Sequence, residues 1–175
     1  MLDTWPLLQN SQFPEIHRSP LEILQVNLGY LCNQTCLHCH VNAGPNRTEL
    51  MTEQTITDIL KVLKQPNVHT LDLTGGAPEM NPLFRELVGE ATSMGIKVID
   101  RCNLSILSEP GFEDLTEFFT RQKVEIVASL PCYLEENVDG QRGKGVYQKS
   151  IEGLKKLNQA GFAMDGTGLR LNLVY

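Results

Sequence analysis

Three cysteines stand close together in the stretch Cys32-Asn-Gln-Thr-Cys36-Leu-His-Cys39. This C-x3-C-x2-C spacing lets three thiolates wrap one small inorganic centre. A cubane iron–sulfur cluster has four irons, so three cysteine ligands leave one iron open to a ligand that is not protein. A zinc ion is the competing reading, because Cys3His sites are common and His38 or His40 could supply the fourth ligand. Spacing alone does not separate the two. Structural zinc motifs usually bring a second Cys or His pair at a distance, whereas the remaining cysteines here, Cys102 and Cys132, stand alone. A second signal is the glycine pair of Gly75-Gly76-Ala-Pro-Glu79. By itself such a pair reads as a strand-to-helix turn that needs positive φ.

The elements that must position these residues follow from hydrophobic periodicity and from breakers. Leu21 to Leu28 reads as a buried strand that leads into the cysteine-rich loop, which runs to about Arg47. Thr52 reads as an N-cap, with Glu53 in the first turn where the helix dipole favours it. Ile56, Ile59, Leu60 and Leu63 form an amphipathic stripe that Pro66 ends. Thr70 to Thr74 is a short strand running into the glycine pair. Asn81-Pro82 reads as a helix start with Pro at the first helical position. Phe84, Leu87, Val88 and Ala91 make that helix's buried face, and Gly95 stops it. Ile96 to Ile99 is a third strand; Leu115, Phe118 and Phe119 mark a helix face; Val124 to Leu130 is a fourth strand. Tyr147, Ile151 and Leu154 line a further helix that stops at Gly161, and Leu169 to Tyr175 is the fifth strand. Strict strand–helix alternation gives an α/β fold with a parallel sheet and right-handed crossovers. The motifs fall just after strands, where such sheets and barrels place active sites. The expectation is a partial parallel (β/α) barrel, truncated at its fifth strand, because the pattern ends there without a turn or cap.

Composition narrows the function classes. Of 175 residues, 41% are hydrophobic and 21% charged, a globular balance. The net charge of −6 argues against nucleic acid as a main partner, since phosphate binding needs a basic face. No apolar run approaches the roughly 20 residues that cross a bilayer. Met1 to Pro20 lacks the basic start and apolar stretch of a signal peptide, so the expected location is cytoplasmic, with no membrane partner. In a reducing compartment the 5 cysteines read as ligands or reactive thiols rather than disulfides.

The cysteine motif after the first strand, taken with Gly75-Gly76-Ala-Pro-Glu79 after the second, resembles the radical S-adenosylmethionine (SAM) superfamily. The resemblance implies a [4Fe–4S] cluster on Cys32, Cys36 and Cys39, with SAM chelated at the open iron. It implies that Gly75, Gly76 and Glu79 contact the SAM amino group, although the family's usual order is Gly-Gly-Glu-Pro and Glu79 comes two residues late. His38 occupies a position that is usually aromatic and reads as a packing or adenine-side residue. Ser129, ending the fourth strand, is the candidate ribose contact, with Asn103 a second. Gln141-Arg142-Gly-Lys-Gly145 resembles an Arg-Gly-x-Gly stretch, so Arg142 is a candidate for the SAM carboxylate through its planar fork. For each of these three the competing reading is an ordinary polar residue at a strand end or in a solvated loop.

Longer stretches resemble one subfamily, the arsenosugar-biosynthesis radical SAM (radical SAM/Cys-rich) proteins. They are Leu24-Gln-Val-Asn-Leu-Gly29, Cys39-His-Val-Asn-Ala-Gly-Pro45, Leu73-Thr-Gly-Gly-Ala-Pro-Glu79, Asp100-Arg-Cys-Asn-Leu104, Ser129-Leu-Pro-Cys-Tyr133 and Asn137-Val-Asp-Gly-Gln-Arg-Gly143. The resemblance implies transfer of a 5′-deoxyadenosyl group to a methylated trivalent arsenic compound. It also implies an electron donor such as flavodoxin or ferredoxin, and a division into an N-terminal lead, 1–20, and a radical SAM core, 21–175, without the family's Cys-rich C-terminal region. Trivalent arsenic is thiophilic, so Cys132 and Cys102, both just past strand ends, are candidate substrate ligands at the active-site mouth; the competing reading is two small buried hydrophobes. The alternatives are another radical SAM enzyme, of peptide-modifying or molybdenum-cofactor type, and a non-catalytic iron–sulfur or zinc module.

Overall fold

A computed structural model describes residues 3–9, 11–14 and 16–174 of the chain. Five parallel strands lie in the order β1 (Ile23–Asn27), β2 (Thr70–Thr74), β3 (Lys97–Asp100), β4 (Glu125–Ser129) and β5 (Leu171–Val174). Each strand pairs with the next in sequence, and helices fill the crossovers, as in a partial barrel. Tyr175, the expected end of the fifth strand, lies outside the described residues, as do Met1, Leu2, Asn10 and Glu15 of the lead segment. In that lead, α1 (Trp5–Gln9) buries none of its side chains.

Local chemistry sets the helices. Thr52 caps α2 (Glu53–Leu63) in an extended conformation, its hydroxyl accepting from the Thr55 N–H at 3.4 Å. α3 (Phe84–Ser93) starts later than expected. Asn81 is not its cap: the side chain donates to the Leu28 and Met51 carbonyls and accepts from the Leu83 N–H. That side chain ties the end of β1 to the α2 approach, and Pro82 stands outside the helix. Gly95, at φ +78°, ends α3 as expected. α4 (Leu115–Gln122) buries Leu115, Phe118 and Phe119. Phe84, Phe118 and Phe119 stack pairwise with centroids 6.2–6.3 Å apart, each pair contributing about 0.5–1.5 kcal/mol beyond simple burial. α5 (Glu135–Arg142) was not expected at all. α6 (Val146–Gln159) buries Val146, Ser150, Gly153 and Leu157, leaving Tyr147, Ile151 and Leu154 half-buried beside that stripe.

Strand parity separates two environments. Leu71, Leu73, Val98, Ile126 and Ala128 join the hydrophobic core with α3 and α4. The alternate positions carry a polar line: Gln25 donates to Asp72 at 2.8 Å, and Arg101 forks onto both Asp72 oxygens at 2.8 and 2.7 Å. One position tests the helical layer without touching this line. Gly89 lies inside α3, and a Cβ there would meet nothing within 4 Å. Gly89→Ala should stabilise the chain by about 0.5–1 kcal/mol, a rise in melting temperature of roughly 1–4 °C; an unchanged or lower value would contradict the open space.

Candidate functional site

The C-terminal ends of the strands open into a cavity of about 520 Å³, within the range that holds small ligands. Cys32, Cys36 and Cys39 all line it, and Gly75, Gly76, Asn103, Ser129 and Arg142 line the same space. Residues separated by more than a hundred positions in sequence thus share one chamber. The cysteines are free thiols. Backbone N–H groups reach two of them: Gln34 donates to Cys32 Sγ at 3.5 Å and Ala43 to Cys39 Sγ at 3.2 Å. Burial raises the Cys32 and Cys36 thiols above the ordinary value, with the Arg142 guanidinium pulling Cys36 back down. In the free chain both are therefore protonated, and metal loading releases protons.

The spacing of the sulfurs bears on which metal fits. A zinc tetrahedron with Zn–S near 2.3 Å holds its sulfurs roughly 3.8 Å apart. Among the described residues, Cys32, Cys36 and Cys39 do not form a set with all ligand atoms within 4.8 Å of one another, alone or with His38 or His40. In a cubane cluster each thiolate binds its own iron, and three thiols lining one cavity fit that arrangement.

A polar network holds the cysteine loop, and sequence reading missed its centre. Gln34, between the first two cysteines, is buried; its Oε1 accepts from Cys36 Sγ at 3.2 Å and from Arg142 Nη1 at 3.4 Å, and its Nε2 donates to Ser105 Oγ at 2.7 Å. Asn103 donates to Asn33 Oδ1 at 2.7 Å and to Cys32 Sγ at 3.7 Å, while its Oδ1 accepts from the Ile106 N–H. Its side chain is thus engaged with the loop rather than held free for a ribose. Ser129 lines the cavity without a side-chain hydrogen bond among the described residues. Arg142, at the C-terminal end of α5, is 8% exposed, and its Nε is buried without a partner. Burial lowers its affinity for the proton and the three cysteines raise it.

Three candidate residues lie elsewhere. Cys102 is wholly buried and does not line the cavity: Arg101 faces it, so the neighbours Asp100 and Cys102 point to the opposite side. Glu79 is also outside the lining, buried in the 3₁₀ turn Pro78–Met80 beside Asp100 and Cys102. Cys132 is half-buried and turns away to the start of α5, where it accepts from the Asn137 side chain at 3.3 Å and the Leu134 N–H at 3.4 Å. The Asn137 bond, first, lowers its thiol below the ordinary value. The expected thiol pair at the cavity mouth is therefore not formed. Arg101 lines the cavity without having been singled out as a binding residue, its strand parity being the available signal, and His40, named only as an alternative zinc ligand, lines it too.

Comparison with known proteins bears on the family and the fold. The model of the Radical SAM superfamily matches residues 26–170. The mycofactocin maturase MftC of Mycobacterium tuberculosis (strain CDC 1551 / Oshkosh) is 29% identical over 84% of this chain and 36% of its own length. A probable GTP 3′,8-cyclase of Sulfurisphaera tokodaii is 27% identical over 88% of this chain and 47% of its own. The chain thus spans less than half the length of these relatives. Among solved structures, anSMEcpe with bound AdoMet shares the fold at a TM-score of 0.69 and 18% identity, covering 89% of this chain and 43% of that one. Streptococcus suis SuiB bound to its precursor peptide SuiA does so at 0.66 and 19%, covering 81% and 31%. No described helix is long and apolar enough to cross a membrane.

Proposed function

This chain belongs to the radical SAM superfamily, whose cofactors are a [4Fe–4S] cluster and SAM, and from that premise we propose that it cleaves SAM reductively in the cavity above its strands. Cys32, Cys36 and Cys39 would hold the cluster. When bound, the cluster supplies the electron that splits the sulfonium of SAM and so yields a 5′-deoxyadenosyl radical. The protein's part is placement. The Arg142 guanidinium would take the SAM carboxylate, the Gly75-Gly76 backbone its amino group, and Ser129 the ribose. Asn103 and Gln34 hold the cysteine loop in register with these groups. The observation that carries the reading is the buried, unpartnered Nε of Arg142 in the same cavity as the three thiols. A buried donor without a partner is costly, and an anionic ligand satisfies it.

For the second substrate, the named relatives favour a peptide-modifying or molybdenum-cofactor type of reaction over the arsenosugar one. None of them is named for an arsenical, and the two thiols that would have bound arsenic are not in the cavity lining. The arsenosugar reading retains the support of the sequence stretches Asp100–Leu104 and Ser129–Tyr133, which bracket the cavity's Arg101, Asn103, Ser129 and Pro131. An electron donor such as flavodoxin or ferredoxin completes either scheme. The test is anaerobic reconstitution with iron and sulfide, followed by SAM and a strong reductant. 5′-Deoxyadenosine is the expected product, and Arg142→Ala should weaken SAM binding by about 10–100-fold, the loss of one charge-assisted contact. Intact SAM after full cluster loading would leave a non-catalytic module. Supplying a methylated trivalent arsenical, GTP or a candidate peptide in parallel then assigns the acceptor by product mass.

A further inference from the structure

Glu79, Asp100 and Cys102 meet beneath the strand ends, outside the cavity lining. One ligand atom from each lies within 4.8 Å of the other two. Asp100 and Cys102 have no exposed surface, and Glu79 is 6% exposed. All four carboxylate oxygens are buried, and no side chain outside the trio among the described residues hydrogen-bonds them; inside it Glu79 interacts with Asp100 and Cys102. The charged groups acting on the trio are its own members and Asp72, all acidic, and the nearby Arg101 guanidinium is committed to Asp72. Such a group of acids cannot stay ionised in the interior without a counter-charge.

We propose that Glu79, Asp100 and Cys102 form a second metal site, distinct from the cysteine motif, that takes one divalent cation of the zinc class. A shared proton would need only the two carboxyl groups. Here a sulfur converges on the same point, and the Leu104 N–H donates to it at 3.3 Å, a contact that favours the thiolate. Four carboxylate oxygens and one sulfur make a mixed hard and soft donor set, which suits zinc or ferrous iron rather than magnesium or calcium. Burial pushes all three groups above their ordinary values, so the metal-free chain holds protons there and loading exchanges them for the cation. The site has no exposed mouth, so the cation enters as the chain folds. Once bound, it joins the turn just past Gly75-Gly76 to the end of β3, and so fixes two walls of the cavity at once.

The test removes the cluster ligands. A Cys32→Ala/Cys36→Ala/Cys39→Ala variant, expressed in zinc-supplemented medium and chelator-washed while folded, should retain about one zinc per chain. Adding Asp100→Asn and Cys102→Ser should bring zinc to background. Cobalt in place of zinc should give a thiolate-to-cobalt absorption band that Cys102→Ser abolishes. Should the triple variant fail to fold, cluster-loaded wild-type protein gives the same reading, as one zinc per chain beyond the cluster's iron and sulfide. Folded protein without zinc in either form would overturn the site and leave a proton-sharing acid pair. Zinc retained after the Asp100 and Cys102 changes would overturn the ligand assignment.

Discussion

Cys36→Ala is expected to leave a folded chain that carries no stable iron–sulfur cluster and releases no 5′-deoxyadenosine. Cys36 is the cleanest of the three ligands to remove. Cys32 is only 7% exposed and belongs to the hydrophobic core, so its loss would mix packing with metal binding. Cys36 is half-buried in the loop, and its sulfur donates to Gln34 Oε1. Gln34 keeps its bonds to Ser105 and Arg142 without it. Stability should therefore change by no more than about 0.5 kcal/mol, as for a substitution outside the core. Cluster content should not survive, because two thiolates replace three around a centre that already has one iron without a protein ligand. Iron and sulfide after anaerobic reconstitution are the measurements. About four of each per wild-type chain should fall to background in the variant, and SAM cleavage with them. Full iron and sulfide in Cys36→Ala, or a wild-type chain holding one zinc and no sulfide, would remove the basis for the proposed function.

How far the sequence could be read depended on whether the signal was local. β2 emerged residue for residue, because Thr70–Thr74 alternates Thr and Asp with Leu and is stopped by two glycines. The Thr52 cap needed only its own turn to be recognised. α5 was invisible for the opposite reason. Its one buried apolar side chain is Val138, and Gly140 inside it costs about 1 kcal/mol relative to Ala. Asp139 holds the next turn instead, accepting from the N–H groups of Gly145 and Tyr147. The same limit explains the thiols. Proximity to a strand end places a residue near the cavity, but parity decides its direction. Arg101 pairs with Asp72 on the polar line, so Arg101 and Asn103 face the cavity and Cys102 cannot. The contact between Gln34 and Arg142 spans 108 positions and exists only once the loop and α5 have met.

Gly76→Ala should damage both the fold and the site through one added carbon. Gly75 and Gly76 look equivalent in sequence, but their constraints differ. Gly75 has φ +138°, a conformation that side chains rarely adopt, whereas Gly76 has an ordinary φ. At Gly76 the obstacle is purely close approach. A Cβ there would collide with the Leu31 carbonyl oxygen and come within 2.9 Å of its carbon and 3.0 Å of Ala43 Cβ. Both neighbours are backbone-fixed parts of the cysteine loop. The Ala77 N–H donates to that same Leu31 oxygen at 2.9 Å, and the Ala43 N–H donates to Cys39 Sγ. Relieving the clash must therefore part the glycine turn from the loop and disturb the hydrogen bond to a cluster ligand. Overpacking of this kind costs about 1–3 kcal/mol, a fall in melting temperature of roughly 2–12 °C for a chain of this length. Each 1.4 kcal/mol that reaches the cavity lowers SAM affinity about tenfold. Melting of the cluster-free protein measures the first effect, and equilibrium SAM binding to the cluster-loaded protein measures the second. Gly89→Ala is the matched control, since the same added methyl meets open space there. A Gly76→Ala variant with wild-type melting and wild-type SAM affinity would mean that the glycine turn and the cysteine loop do not touch as described, and the shared cavity would lose its main structural support.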